Sequence, residues 1–321
     1  MAVHSRLARA IAASTLALTL ATAAQAEVGR VEIIAPAGPG GGYDQLARAT
    51  QQVFESESLA SDVQVNNVPG AGGTIGLAQF VTGRSRGEQL LVVGLGMIGA
   101  IKVNNAPVTL EQTTPLARLT GEYQPLVVAA DSPLQSLDDL AAMYKADPGS
   151  VSWGGFALGS PDHLLSAMTV KAMGGDVSEM NYIVAGAGGE MIGQVMGGHI
   201  TVATGGLNEF ASLIESGDLR ALAVSSPEPL PGVDIPTFKE QGYDVELVNW
   251  RGLMAKGDIA EDDLAALDDA ISQMVASEPW QALMTERGWV GMHQSSAEFA
   301  TFLETEQPNI EAILADLGLA Q

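Results

Sequence analysis

Apolar and polar positions follow two alternating patterns from about residue 31 onward. Short apolar runs typical of buried strands, such as VEIIA and LLVVGL, lead through glycine-containing turns into segments with apolar residues at helical spacing. Regular alternation of strand and helix is typical of an α/β fold built from βαβ units. The pattern therefore predicts an α/β protein with mainly parallel sheets flanked by helices.

The same pattern divides the chain into two α/β layers. The first begins at the start of the mature chain, and a second set of strands and helices begins at PLVVAA. From Ile259 onward the pattern is purely helical, with charge opposite the apolar face, and predicts helices on the outside of the first layer. We therefore expect one domain from residues 27–125 and 249–321 and a second from residues 126–248.

The first 26 residues predict a secretory signal peptide. Arg6 and Arg9 precede an apolar stretch, and Ala24-Gln25-Ala26 supplies small residues for cleavage. The alternative is a membrane anchor, but the apolar stretch is shorter than the roughly 20 residues that span a bilayer. We expect cleavage after Ala26 and, in a bacterium, a periplasmic protein.

Charge and residue types argue against several classes of function. The chain has 15 basic and 38 acidic residues, a net charge of -23, and no cysteine. So acidic a surface is unsuited to nucleic-acid phosphates, and neither disulfides nor cysteine metal sites are available. His163, His199 and His293 lack metal-binding spacing. We expect no cofactor and no metal.

Glycine-rich turns stand between a predicted strand and a predicted helix at four places. They are residues 35–44 (APAGPGGGYD), 67–76 (NVPGAGGTIG), 154–163 (GGFALGSPDH) and 184–193 (VAGAGGEMIG). The first turn matches neither the dinucleotide fingerprint nor the phosphate loop. The carboxyl ends of parallel strands border the ligand crevice, and helix starts expose unpaired backbone N–H groups. Alternatively, each glycine simply permits a tight turn.

These turns contain no lysine or arginine. Two turns from each lobe, facing each other across a cleft, would form a receptor for an anion with more than one acidic end. We therefore expect main-chain amides to hold the ligand without a basic group.

Five segments carry motifs in a fixed order. They are PAGPGGGYDQLARA, NNVPGAGGTIG, GSPDHL, GDLRALAVSS and IPTFKEQGYDVELVNWRGLMA. Together they resemble the solute-binding receptors of tripartite tricarboxylate transporters, also called Bug proteins, over essentially the whole mature chain. The resemblance implies a two-lobed, Venus-flytrap periplasmic binding protein of type II. Such a receptor captures a small carboxylate and delivers it to the membrane permease subunits of the transporter.

The resemblance also places ligand-binding residues on strand-to-helix loops of both lobes. In the first lobe these are Pro39, Gly40, Gly41, Tyr43, Ala71, Gly72, Gly73 and Thr74. In the second they are Ala157, Gly159, Ser160, His163, Ala187, Gly188 and Gly189. Thr204 and Asn208 follow a further predicted strand, so their hydroxyl and amide groups are added as candidate donors.

One motif departs from the common family pattern. Many members carry Val-Pro-Tyr-Lys-Gly in the second lobe, whereas this chain has NYIVAGAGGE, which is closer to the tricarboxylate branch. The departure favours a citrate-like di- or tricarboxylate.

Several candidate residues have an alternative structural role. Ser160 and Asn208 stand where a helix N-cap is expected, and His163 can hydrogen-bond within its own lobe. Trp250 lies at the predicted return crossover, where it can form a wall of the cleft. We expect Arg251 to tie the lobes together rather than bind ligand.

Two other functions would use the same cleft. A hydrolase would need a nucleophile and a base, but Ser160, Asp162 and His163 are too close in sequence to form a triad, and no G-x-S-x-G motif occurs. A ligand sensor for a signalling partner cannot be separated from a transport receptor by sequence. We expect a monomeric binding protein rather than an enzyme.

Overall fold

The computed structural model describes residues 28–84, 88–185 and 188–319, so the predicted signal peptide lies outside the described residues. The strands are β1 (Val28–Ala35), β2 (Ala60–Asn67), β3 (Glu88–Gly94), β4 (Thr113–Gly121), β5 (Pro125–Ala129), β6 (Ser152–Gly155), β7 (Asn181–Val184), β8 (Val202–Thr204), β9 (Leu219–Val224), β10 (Arg251–Lys256) and β11 (Val290–Gln294). The helices are α1 (Gly42–Ser56), α2 (Thr74–Thr82), α3 (Leu95–Val103), α4 (Leu137–Ala146), α5 (Pro161–Ala172), α6 (Gly188–Met196), α7 (Leu207–Ser216), α8 (Glu261–Ala276), α9 (Glu278–Glu286) and α10 (Ser296–Asp316).

The described strands form two sheets, one in each lobe. The first has the order β11-β4-β10-β3-β1-β2, and the second has the order β7-β6-β8-β5-β9. Strands β1, β2 and β3 are parallel to one another, as are β6, β7 and β8. The predicted two-lobed α/β fold is confirmed, with antiparallel strands present in both sheets.

The antiparallel strands mark the points where the chain enters a lobe. Strand β5 is antiparallel to β8 and β9, and β10 is antiparallel to β3 and β4. Parallel strands point their carboxyl ends toward the other lobe, so a strand that arrives from that lobe starts there and runs in the opposite direction. Strands β5 and β10 are antiparallel to their neighbours for this reason, whereas β11, which is antiparallel to β4, follows α9 within the same lobe.

The two connecting segments pair with each other and form the hinge. The amide of Asn249 donates to the carbonyl of Glu122 at 2.9 Å, and the amide of Glu122 donates to the carbonyl of Asn249 at 3.2 Å. Tyr123 forms an antiparallel bridge with Val248. The proposed domain boundaries at residues 126 and 249 flank this hinge and stay a prediction.

The carboxyl-terminal part is not purely helical, which corrects the sequence expectation. Strand β11 lies between α9 and α10 and pairs with β4 at the edge of the first sheet. It is short, and its register with β4 shifts between Gly291 and Gln294. Its apolar residues Val290 and Met292 do alternate with other types, but over too few positions to stand out from the helical pattern.

Apolar side chains fill three clusters among the described residues. One joins the first sheet to α1, α8 and α9, and another joins the second sheet to α6 and α7. The third contains Val93 of the first lobe, Leu164 of the second and Leu314 of α10. Helix α10 therefore packs against both lobes, and Lys171 of α5 forms an ion pair with its Asp316. No described helix is both long enough and apolar enough to cross a membrane.

Candidate functional site

A cavity of 630 Å³ lies between the two lobes. Its wall consists of the β1–α1 turn, the loop before α2, one face of α3, the loop before α5 and the hinge segment that leads into β10. The lining residues are Pro36, Ala37, Gly38, Gly42, Tyr43, Pro69, Gly70, Ala71, Gly72, Gly73, Gly96, Ala100, Val103, Asn104, Ala157, Leu158, Ser160, Pro161, Asn249 and Arg251. The cavity thus lies at the carboxyl ends of parallel strands, where open α/β sheets bind ligands.

The buried carboxylate of Asp44 holds the β1–α1 turn in place. Its carboxylate accepts the amide of Gly40 at 2.7 Å and the side-chain amide of Asn67 at 2.8 Å, and it pairs with Arg48 at 2.9 Å. Burial alone would raise the pKa of Asp44, but the hydrogen bonds from Arg48, Gly40 and Asn67 hold it below its usual value. The carboxylate therefore remains ionised and fixes the loop, while the start of α1 at Gly42 faces the cavity.

The loop before α2 has an unusual backbone conformation. Gly70, Ala71, Gly72 and Gly73 have φ angles of 128°, 47°, 63° and 100°, so four successive residues lie at positive φ. Side chains are disfavoured there, and a Cβ atom on Gly72 would also collide with Ala100 of α3. The glycines thus serve both the backbone path and the close approach to α3.

A third helix of the first lobe, which the sequence pattern predicts after LLVVGL, lines the cavity although it was not assigned to the site from the sequence. Helix α3 begins directly after β3, and Gly96, Ala100 and Val103 line the cavity from one face of it. These small or apolar residues recur at helical spacing, as does Gly99, and that spacing is the signal that could have identified the face. Tyr43 packs here, and burial raises the pKa of its hydroxyl to about 12 against the opposing effects of Arg251 and the backbone of Met97.

The second lobe contributes a loop, residues 156–160, that rests on buried polar groups. Asp162 accepts the amide of Phe156 at 3.0 Å and the side-chain amide of Gln124. Burial raises the pKa of Asp162 to about 6, although these hydrogen bonds oppose the rise. Burial also lowers the pKa of His163 to about 4, so the imidazole is neutral near pH 7.

The His163 ring is directed at its own lobe. Its Nδ1 accepts the amide of Gly159 at 3.1 Å, and the ring packs on Tyr182 with centroids 4.2 Å apart. Ser160 is the N-cap of α5, where its hydroxyl accepts the backbone amide of His163 at 3.4 Å. The hydroxyl thus meets the main chain of His163 and not its imidazole, so these residues do not form the nucleophile–base pair of a hydrolase.

The lobes come into contact at two glycines beside the cavity. A Cβ atom on Gly99 of α3 would collide with the carbonyl oxygen of Gly159. Both contacting groups belong to the main chain, so no side-chain rotation would relieve the clash. Glycine at position 99 therefore allows the two walls to approach this closely.

The hinge segment places one cation on the cavity wall, which corrects the expectation of a site without a basic group. Asn249 and Arg251 line the cavity, whereas Trp250 between them is fully buried. Successive residues of an extended segment point to opposite sides. Trp250 donates to Glu306 at 2.9 Å and packs on Phe299, so the idea that it forms a wall of the cleft is wrong.

Arg251 is neutralised within the protein. Its Nη2 lies 3.2 Å from the Glu122 carboxylate, and both side chains are almost buried, with exposures of 10% and 12%. This ion pair joins the two hinge segments, but both residues fall in the first predicted domain, so the expected tie between the lobes stays a prediction. Desolvation raises the pKa of Glu209, at the start of α7, to about 7. The negative charges of Asp162 and Glu122 add to the rise, and the positive charge of Arg251 opposes it.

The cavity brings together some of the residues that the sequence singled out. Those that line it are Tyr43, Ala71, Gly72, Gly73, Ala157 and Ser160. Four others adjoin lining residues in the chain without lining it themselves, namely Pro39, Gly41, Thr74 and Gly159, and Gly40 lies two positions from the lining residues Gly38 and Gly42. Ala187 lies outside the described residues, and His163, Gly188, Gly189, Thr204 and Asn208 are not part of this wall.

Asn208 and Thr204 have other surroundings. Asn208 is exposed and donates to the carbonyl of Arg287, so it links the lobes, and the N-cap of its helix is Gly206 instead. Thr204 is fully buried at the end of β8. Their assignment as ligand contacts stays a prediction that this cavity does not support.

Comparison with known proteins identifies the family. The sequence profile of the tripartite tricarboxylate transporter family receptor matches residues 46–319. The chain belongs to this family. Protein BugT of Bordetella pertussis is 31% identical over 235 residues, which cover 70% of each chain. A protein from the TAR-I ttuE-ttuC' intergenic region of Agrobacterium vitis is 29% identical over 79% of this chain and 75% of its own.

Solved structures of similar proteins share the fold. A ligand-free TctC solute-binding protein from Polaromonas has a TM-score of 0.74 at 24% identity, over 90% of this chain and 99% of its own. An R. palustris protein with adipate has a TM-score of 0.78 at 21% identity, over 91% and 98%. MatC from Rhodopseudomonas palustris with bound malate has a TM-score of 0.75 at 20% identity, over 89% and 99%. The family consists of solute-binding receptors and not of enzymes.

Proposed function

We propose that this receptor captures a small di- or tricarboxylate in the cavity between its lobes and delivers it to the permease of a tripartite tricarboxylate transporter. The observation that carries the proposal is the composition of the cavity wall, in which helix starts of both lobes converge beside a single ion-paired arginine. The predicted signal peptide supports a periplasmic location for this task.

The helix starts offer hydrogen-bond donors to an anion. The amides of Gly42 and Tyr43, in the first turn of α1, have no acceptor among the described residues. Such amides carry a partial positive charge at the amino-terminal end of a helix. Because Glu122 already balances Arg251, a carboxylate would be attracted by amide dipoles together with the free N–H groups of a neutralised guanidinium.

Two similar structures support an organic acid as the ligand. One contains malate and the other adipate, and both are dicarboxylates. The Asn-Tyr and Gly-Gly-Glu residues of the second lobe, which resemble the tricarboxylate branch, support the same class.

Delivery requires that the permease distinguish a loaded receptor from an empty one. A ligand that touches both walls would favour the arrangement in which Gly99 meets Gly159, because only that arrangement provides both sets of contacts. A shift from mostly open to mostly closed needs a differential binding energy of about 5.5 kcal/mol. The permease then recognises the surface of the closed receptor.

A ligand panel tests the proposal. Mono-, di- and tricarboxylates, a nucleotide and a sugar are added to the mature protein, and the melting temperature and the heat of binding are measured. We expect one or a few carboxylates to raise the melting temperature with the concentration dependence of mass action. A response to the nucleotide or the sugar, with none to any acid, would refute the proposal.

A charge-only substitution tests the use of the α1 helix start. Gly41 is the N-cap of α1, and Gly41→Asp would place a carboxylate beside the amides assigned to the ligand. We expect Gly41→Asp to bind acids at least about tenfold more weakly than Gly41→Asn, and the two variants to melt at similar temperatures because both place a Cβ atom 3.2 Å from the Gly38 carbonyl oxygen. Gly41→Asn is the matched control, since it has nearly the same shape without the charge. Equal affinities for the two variants would remove this turn from the site.

A further inference from the structure

We propose that the ligand is an acid with an extended apolar body. Its carboxylate binds at the hinge, and its body contacts apolar residues along α3, the loop 156–160 and the start of α5. This inference rests on the proposed carboxylate receptor and narrows its ligand class. It favours straight-chain or aromatic acids over compact, hydroxylated acids such as malate, tartrate or citrate.

Two of the polar side chains that line the cavity, Asn104 and Ser160, are already engaged by the protein. Asn104 donates to the carbonyls of Ala71 at 3.1 Å and Ala100 at 2.8 Å. The Ser160 hydroxyl contacts the backbone of His163 and the carboxylate of Asp162. These groups shape the wall and leave little capacity for ligand hydroxyls.

Two polar side chains with free capacity lie together on the hinge. Within the described part of the chain, the Asn249 side chain has no hydrogen-bond partner, and Arg251 uses only Nη2, toward Glu122. The two residues are two positions apart on an extended segment, so they project to the same side. The side-chain donors for a carboxylate are therefore concentrated at one end of the cavity.

The rest of the lining is apolar apart from backbone groups. It comprises proline, alanine, glycine, valine and leucine, contributed by Pro36, Ala37, Pro69, Val103, Leu158 and Pro161 among others. A hydroxyl or an additional carboxylate placed against this surface would lose its water without gaining a partner, at a cost of about 1–3 kcal/mol for a hydroxyl. A methylene chain or a ring would gain from the same burial.

Leu158 provides independent support for an apolar contact. Its side chain is 42% exposed, which places it among four large apolar side chains with this degree of exposure in the described chain, and it lines the cavity. The other three are Ile75, Val184 and Met196, which are not part of the cavity lining. The leucine therefore offers the cavity an apolar surface that a bound apolar group would cover.

Pairs of acids matched in charge test the inference by titration calorimetry. The dicarboxylate series from succinate through adipate to suberate is compared with malate and tartrate, and octanoate and benzoate are compared with lactate. We expect affinity to rise about fourfold for each methylene buried, until the cavity is filled. The apolar acid of each pair should bind at least about tenfold more tightly. Tighter binding of malate, tartrate or citrate would overturn the inference and leave the carboxylate receptor intact, whereas no binding by any acid would refute the receptor itself.

A substitution at the rim sharpens the test. Leu158→Asn should weaken the best apolar acid about tenfold or more and leave the binding of the smallest acid unchanged, because only the longer body reaches this residue. Met196→Asn is the matched control, since Met196 is 47% exposed and lies outside the cavity lining. Leu158 is an exposed loop residue, so the variant should keep its melting temperature. An equal loss for all acids, or no loss for any, would contradict the assignment.

Discussion

The two walls of the cavity owe their conformations to different interactions. The first lobe presents main chain, with glycine where the backbone needs positive φ or where another element approaches closely, as at Gly72. The second lobe presents the loop 156–160, which buried ionisable side chains hold in place, chiefly Asp162 and His163. Both walls carry the same glycine-rich sequence signature.

This difference shows what such a signature does and does not specify. In the first lobe a glycine is fixed by local geometry, so its replacement would disturb the loop at any pH. In the second lobe the loop depends on protonation states, because burial has shifted the pKa of both Asp162 and His163. Substitutions that add side-chain volume should therefore disturb the wall of the first lobe, and a change in pH should alter the stability of the wall of the second lobe. At the hinge, the stability should depend on the ion pair of Arg251.

Removal of the hinge cation should have the largest effect. Arg251→Met leaves the Glu122 carboxylate almost buried without its partner, and we expect a loss of about 3 kcal/mol in the free energy of unfolding. Acid binding should also weaken at least about tenfold. Chemical denaturation and calorimetry measure the two effects.

A second substitution separates the structural role of Arg251 from its role in binding. The double variant Arg251→Met and Glu122→Leu should recover most of the stability but none of the affinity. Lys239→Met serves as a control, because the Lys239–Glu246 pair is 40% and 48% exposed and its loss should cost less than about 1 kcal/mol. Full recovery of affinity in the double variant would mean that Arg251 only ties the hinge.

Contact between the walls should have the next largest effect. Gly99→Ala puts a methyl group against the carbonyl of Gly159, so the closed arrangement should lose about 1–3 kcal/mol and ligand affinity should fall about 5- to 150-fold. The unfolding free energy of the open, empty protein should rise by about 0.5–1 kcal/mol, because alanine favours the helix over glycine. Calorimetry measures the affinity, and small-angle scattering measures closure.

Gly193→Ala is the control for this steric test. Gly193 lies within α6 with open space around it, so alanine there should leave binding unchanged and stabilise the protein by about 0.5–1 kcal/mol. If Gly99→Ala binds acids like the unsubstituted protein, closure onto Gly159 is not part of ligand capture.

The fold was largely predictable because its central strands are runs of buried apolar residues, separated from the helices by glycine-containing turns. Strands such as β3 and helices such as α4 coincide with patterns that follow from burial alone. Strand β11 was missed because an edge strand of five residues has too few positions to establish a period. Its place beside β4 depends on tertiary pairing, which no local pattern encodes.

The candidate site was predictable where the main chain forms it and not where distant segments meet. The loop 70–73 combines four successive residues at positive φ, and glycine content announces that requirement. The face of α3 carries no polar marker, and Arg251 faces the cavity only because Trp250 beside it enters the core. The His163 ring packs against Tyr182 instead of lining the cavity, and the spacing of residues in the sequence does not reveal this contact.

The pH response of the second wall should have the smallest effect and is the most specific test of the comparison. The pKa of Asp162, raised to about 6, gives a contribution to stability that is full below its ordinary value of 3.8 and is lost as the pH rises to about 6. The pKa of His163, lowered to about 4, gives one that is full above 6.5 and is lost as the pH falls to about 4. The two effects oppose each other between about pH 4 and 6. Asp162→Asn should therefore make the slope of unfolding free energy against pH more positive by up to about 1.4 kcal/mol per pH unit. His163→Asn should make the same slope more negative by a similar amount. Exposed His199→Asn is the control, and parallel slopes for all variants in urea unfolding would show that the second wall does not depend on these protons.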